Sequence, residues 1–177
     1  MKKVVSKEPN KMVYFFDESR FGTHSKIGHG WFPKGSRTSV KINLGFKSFY
    51  VYGAVCTKSG NSFSLVLPEV NTENMNIFLK KFSEQIGLDQ VIFIMDGASW
   101  HKSKNLVIPK NIKAFYLPPY SPDLNPIERL WSFIKKYTLR NKCYINIEDL
   151  EKDVCEFINK LESSSIKKTC TAKYLFN

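Results

Sequence analysis

Five consecutive apolar residues, Val91 to Met95, stop abruptly at Asp96-Gly97. A short run that is apolar at every position, rather than at alternate ones, fits a strand covered on both faces. Such a strand needs a layer on either side, so the chain is expected to fold as an α/β domain with helices flanking a mixed sheet. Asp96 then stands at the strand's carboxyl end, where open α/β sheets place their chemistry.

The pattern recurs. Val13 to Phe16 ends in Asp17-Glu18 and reads as a neighbouring strand. Ile112 to Leu117 enters a stiff Pro118-Pro119-Tyr120-Ser121-Pro122 segment, and helical spacing begins only after Asn125-Pro126, with Glu128 in the first turn. Strand Asp17, strand Asp96 and helix Glu128 would bring three carboxylates on rigid elements to one sheet edge. That is an oxygen-donor site for hard divalent cations, the pattern of enzymes that cut or join nucleic acid with two metal ions. The pleat sends Asp17 and Glu18 to opposite faces, so only one of them can join it, and the other is expected behind the site or on the surface. Glu128 also has a purely structural reading. With Asn125 as cap and Pro126 as first helical residue, it falls third, where it could close a capping box worth about 1 kcal/mol.

Three stretches, VYFFDESRFG, IFIMDGASWH and above all LPPYSPDLNPIERLW, resemble the catalytic domain of DDE transposases of the mariner-like insertion-sequence superfamily, over about residues 12 to 140. The resemblance implies a ribonuclease-H-like, retroviral-integrase-like fold: a mixed five-stranded sheet flanked by helices. It implies Asp17, Asp96 and Glu128 as catalytic residues holding two Mg²⁺ or Mn²⁺ ions, and it selects Asp17 over Glu18. The activity implied is metal-dependent DNA strand cleavage and strand transfer, with transposon ends and target DNA as partners and a homodimer as the active complex. Gly30-Trp31-Phe32-Pro33-Lys34-Gly35 resembles a Trp-Pro-Gly feature of the family, so Trp31 is expected to stack on a displaced base or to plug the sheet. Lys34, Arg37, His101, Arg129, Lys135 and Lys136 are the further candidate DNA contacts. Helix-turn-helix modules precede the catalytic domain in this family, and residues 1–11 leave no room for them. A separate N-terminal DNA-binding segment is therefore expected. Two alternatives stand beside this reading: a retired or truncated DNA-binding fragment, and a ribonuclease-H-like nuclease acting on RNA–DNA hybrids.

Composition agrees with a nucleic-acid partner. A formal charge of +11 and a pI near 9.5 make a footprint for a polyanion, and 42% apolar residues over 177 suffice for a well-buried core. Cys56, Cys143, Cys155 and Cys170 are scattered without a C-x-x-C pair, so neither zinc nor a disulfide framework is expected, only small buried side chains in a reducing cytoplasm. His24 and His29 lie in a loop with too few companions for a metal site. No apolar run has signal-peptide or membrane-spanning character, so a cytoplasmic protein, nucleoid-associated when acting, is expected.

In chain order, residues 1–11 read as a basic lead-in, 12–162 as the catalytic domain and 163–177 as a basic tail carrying Lys167, Lys168, Lys173 and Tyr174. Ser19 to Arg37 reads as loop. Val40–Phe46, Phe49–Cys56 and Ser62–Leu67 read as strands, the last two joined by a hairpin turn at Thr57–Asn61. Met75, Phe78, Leu79, Phe82 and Ile86 give a helix capped by Asn71 or Thr72 and stopped by Gly87. A second helix follows Pro126, packed down by Ile127, Leu130, Trp131, Ile134 and Tyr137 or Thr138. Asp123 before it reads as a turn former, and Lys80 and Lys81 as solvated. A last helix, Glu148–Leu161, is ended by Ser163-Ser164-Ser165.

Overall fold

A computed structural model describes residues 8, 11–25, 33–36, 39, 41–119 and 121–172. Trp31, Arg37, His29, Lys173 and Tyr174, singled out above, lie outside the described residues.

Five strands form one sheet: β1 Met12–Gly22, β2 Ser48–Cys56, β3 Ser62–Leu67, β4 Val91–Met95 and β5 Ile112–Tyr116. Their spatial order is β3-β2-β1-β4-β5. The β1–β2 and β2–β3 pairs are antiparallel, and the β1–β4 and β4–β5 pairs are parallel. The sheet is thus mixed and five-stranded, as expected. Among the described residues four helices accompany it: α1 Thr72–Ile86, α2 Ile127–Thr138, α3 Ile147–Asn159 and α4 Ser163–Thr169.

The strand pleat divides the core in two. On one face Tyr14, Phe16, Phe93 and Met95 pack against Met75, Phe78, Leu79 and Phe82 of α1. On the other, Val13, Phe15, Ile92 and Ile94 pack against Ile127, Leu130, Trp131 and Ile134 of α2, with α3 and α4 outside them. All five residues of β4 are buried because both faces are covered. Helix α1 begins where Asn71 Oδ1 accepts the Asn74 N–H at 2.8 Å, and it stops at Gly87, whose φ of 62° is left-handed.

Several expectations need correction. The first strand does not end at Asp17 but runs on to Gly22, so residues 19–22 are ladder rather than loop. Its antiparallel partner β2 outlasts its parallel one: β1 pairs with β4 only from Met12 to Phe15, but with β2 as far as Gly22↔Ser48, where Phe21 stacks on Phe49. Residues 41–47 are not a strand. Ile42, Leu44 and Phe46 are exposed, and Asn43 holds the segment through side-chain bonds, donating to the Tyr144 carbonyl at 2.6 Å and accepting from Gly45 N–H at 2.9 Å. The serine tract does not follow the last helix as a stop. The preceding helix has already ended at Asn159, and the tract opens α4. Ile166, Cys170 and Ala172 behind it are core, so residues 163–172 are packed rather than a tail. Of the cysteines, Cys56 and Cys170 are buried, whereas Cys143 is exposed and Cys155 intermediate; all four are free.

Candidate active site

The β1–β4 register, carried two residues past Phe15↔Ile94, sets Asp17 level with Asp96. β4 ends at Met95, and the chain turns away through Gly97, Ala98 and a turn of 3-10 helix, Ser99–Lys102. This leaves a cleft of about 350 Å³ at the carboxyl ends of the parallel strands, lined by Asp17, Asp96, Glu128, Asn125, Lys102 and the Leu117–Pro119 and Ser121–Pro122 wall. A second depression beyond Asn125 and Glu128 is lined by Asp123, Arg129 and Ser132. Asp123 itself sits in the 3-10 turn Pro122–Leu124.

Each acid has a different support. Asp17 faces α2, where the Trp131 Nε1–H donates to its Oδ2 at 3.0 Å. Room for that indole comes from Gly53, the residue opposite Asp17 on β2, where an added Cβ would lie 2.5 Å from the indole. Asp96 directs its Oδ1 inward to accept from Ala98 N–H at 3.1 Å and His101 Nδ1–H at 2.7 Å. Glu128 is exposed on the first turn of α2. The capping-box reading fails, because the helix begins at Ile127 with no side-chain cap. Asn125 instead donates its Nδ2–H to the Phe16 carbonyl at 2.9 Å, across to β1. Only an amide N–H can donate there, so the other atom is the oxygen, and this Oδ1 is buried with no hydrogen-bond partner.

Glu18 takes the opposite face, as the pleat requires. It is not a surface residue: its side chain is 6% exposed, and Oε1 accepts from His101 Nε2–H at 3.0 Å and Trp100 Nε1–H at 3.1 Å. His101 is fully buried, with a carboxylate oxygen against each ring nitrogen, which leaves it no face for a phosphate.

The electrostatics follow. Burial, together with the charges of Glu128, Glu18 and Asp96, pushes the Asp17 carboxyl up to about 8. Asp96 is held below the usual carboxylate range, chiefly by its hydrogen bond from His101. Burial disfavours the charged form of His101, but the hydrogen bonds to Asp96 and Glu18 outweigh it and raise the imidazole to about 9.

Among the candidate DNA contacts, Lys34, Arg129 and Lys136 are exposed, and Lys135 lies over the Phe21 ring with its Nζ 5.4 Å from the centroid. Lys102 went unnoticed in the sequence although it directly follows His101. Its ammonium rests against Gly97, where a Cβ would come within 2.6 Å, and 5.5 Å from the Tyr116 ring centre, on the wall of the cleft. Trp131 and Asn125 were read only as core and cap, because hydrophobic spacing carries no information about an indole N–H or an amide reaching another element.

Among the described residues no helix is long and apolar enough to cross a membrane. The profile of the DDE superfamily endonucleases matches residues 12–151. The chain is 36% identical over 113 residues to an uncharacterised protein, y4pE/y4sA, of Sinorhizobium fredii, covering 63% of this chain and 84% of the relative. It is 25% identical over 167 residues to the Tc3 transposase of Caenorhabditis elegans, covering 88% of this chain and 51% of that protein. It therefore spans about half the length of that transposase. Among solved structures it resembles the Mos1 mariner paired-end complex with Mn at a TM-score of 0.74 and 16% identity, covering 98% of this chain and 56% of that one. The catalytic domain of Mos1 transposase aligns at 0.60 and 15%, covering 98% and 82%. At such identities the likeness shows a shared fold, and the fold is the ribonuclease-H-like one. The sequence match over residues 12–151 decides the family: this chain belongs to the DDE superfamily endonucleases.

Proposed function

We propose that this chain is the catalytic domain of a transposase, cleaving DNA strands and joining them to new ones, with Asp17, Asp96 and Glu128 as its catalytic carboxylates. The observation that carries this reading is the meeting of those three acids around one cleft at the carboxyl ends of β1 and β4. The family match and the +11 charge support it.

The donor set suits hard divalent cations. It consists of carboxylates and an amide oxygen, with no cysteine or free imidazole on the lining. Two features of the cleft ask for positive charge: the Asp17 carboxyl is pushed up by burial and then by its acidic neighbours, and the buried Asn125 Oδ1 is unpaired. Among the described residues no three acidic, His or Cys side chains are gathered tightly enough to hold an ion as they stand. Asp17, Asp96 and Glu128 would hold two Mg²⁺ or Mn²⁺ ions. When bound, these would supply Lewis acidity for activating a water or a 3′-hydroxyl and for stabilising the leaving oxygen.

The protein's own groups do the rest. Trp131 holds Oδ2 of Asp17, and Ala98 and His101 hold Oδ1 of Asp96, so protein donors fix how both carboxylates are turned. Lys102 sets a cation on the wall for a phosphate oxygen, and the proline-lined segment makes that wall stiff. Arg129, Lys135, Lys136 and Lys34 extend the basic surface for the DNA backbone, with Trp31 and Arg37 as further proposed contacts. Transposition joins paired ends, so two copies of this domain are expected in the active complex, with DNA-end recognition supplied by a further segment.

Nicking of supercoiled plasmid in Mg²⁺ and in Mn²⁺ tests the reading. Wild type is expected to nick and Glu128→Gln to lose at least a hundredfold while melting at the same temperature. If neither nicks yet both bind DNA, the chain is a DNA-binding fragment. Preferential cutting of RNA–DNA hybrids would instead make it a ribonuclease-H-like nuclease.

A further inference from the structure

We propose that Glu18 and His101 are positioning residues that fix the carboxylate of Asp96, so that its Oδ2 alone faces the cleft. The proposal rests on the reading of Asp96 as a metal ligand and adds two residues to the machinery of that site.

Asp96 needs such a device. Its side chain is 54% exposed at the end of β4, followed by Gly97. A carboxylate so placed turns freely in water, and each binding event must then stop that rotation. The structure stops it beforehand. His101 holds Oδ1 at 2.7 Å, and Ala98 N–H holds the same oxygen at 3.1 Å.

His101 is itself held on every side. Its ring is fully buried, edge-on to Phe16 and to Trp100 with centroids 5.6 Å away in each case. Its far nitrogen meets Glu18 Oε1 at 3.0 Å. With a carboxylate oxygen at both ends, the ring fits only as the doubly protonated imidazolium, donating both ways. The turn that carries it is pinned at two further points: Tyr116 O–H donates to the His101 carbonyl at 2.7 Å, and Thr72 O–H to the Trp100 carbonyl at 3.3 Å. Glu18 also ties down Trp100 through its indole N–H. The chain of contacts runs from the α1 face of β1, through the turn after β4, to Oδ1 of Asp96. Ligating carboxylates are oriented by the hydrogen-bond partners behind them, and loss of such a partner typically costs about 10- to 100-fold in metal affinity or activity.

The test is Mn²⁺ binding by the whole chain, followed by titration calorimetry, for wild type, Asp96→Asn, Glu18→Leu, Glu18→Gln and His101→Phe, each checked for its melting temperature. Glu18→Leu and His101→Phe are expected to weaken Mn²⁺ binding tenfold or more. Glu18→Gln, which keeps an oxygen acceptor for both Trp100 and His101, should recover most of that loss. A role in packing alone would not show that recovery, because Leu and Gln fill similar space. If wild type binds Mn²⁺ and Asp96→Asn abolishes it, yet folded Glu18→Leu and His101→Phe bind as wild type does, the positioning proposal is overturned while the proposed function stands. If Asp96→Asn leaves binding unchanged, the reading of the site falls and this proposal with it. Should Glu18→Leu fail to fold, His101→Phe and Glu18→Gln decide: wild-type affinity in His101→Phe overturns the proposal, and a loss there with near-normal binding in Glu18→Gln upholds it.

Discussion

Gly53 shows how much a site residue can depend on an atom that is absent. It sits opposite Asp17 in the β1–β2 ladder, and the space where its side chain would stand is filled by the indole of Trp131. Gly53→Ala is expected to push that ring away, break the bond from Trp131 to Asp17 Oδ2, and cost about 1–3 kcal/mol through overpacking. Urea unfolding and plasmid nicking check it together, and a variant as stable and as active as wild type would sink the account. None of this could be read from sequence, where Gly53 is one more small residue in a strand. That Asp17, Asp96 and Glu128 would meet at one cleft was legible, because apolar runs and a proline-rich boundary pointed at them and the motifs resembled a family. Glu18 and His101 were each visible but not as a pair, since 83 residues separate them and only the β1–β4 pairing brings them together.

At the scale of elements, legibility followed how far local signals agreed with long-range ones. Helix α1 came out with its expected cap and stop, and β3 and β4 with their expected ends, because cap, period and turn residues all pointed the same way. Asn71→Ala is accordingly expected to cost about 1 kcal/mol by removing the acceptor for Asn74 N–H, measured as a lowered urea midpoint with unchanged slope. A midpoint equal to wild type would show that the cap contributes nothing in this fold. β1 was read too short because its second half is held by β2 and not by its own apolar pattern. Residues 41–47 carry the alternation of a strand but find no ladder partner, and α4 starts from serines that propensity alone assigns to a break. In each case tertiary context overrode a weak local preference.

For the whole molecule, stability and pH are tied through the site. Asp17 has its proton held more tightly in the fold than in the unfolded chain, with about 8 against an ordinary value of 3.8, so stability is lost as pH rises from about 4 towards 8. His101, raised from 6.5 to about 9, contributes stability that is complete below 6.5 and lost as pH climbs through 9. Both act in the same direction, so the melting temperature in chelator is expected to fall between pH 6 and pH 9. Shedding of the +11 charge opposes this through weaker self-repulsion, but Asp17→Asn shares that trend. The variant's melting temperature should therefore gain on wild type between pH 6 and pH 8, as followed by differential scanning calorimetry; parallel curves would contradict the raised carboxyl. The same molecule-wide frame governs the length of β1. Asp17 serves the α2 side and Glu18 the α1 side only because the strand's pleat arrives at residue 17 in the right phase. Any of residues 12 to 16 can be exchanged for another apolar one with local consequences. Inserting or deleting a single residue there would trade the two carboxylates across the sheet, turning the cleft's aspartate inward and the buried glutamate out. The strand is in effect a counted spacer, open to respelling but closed to any change of length.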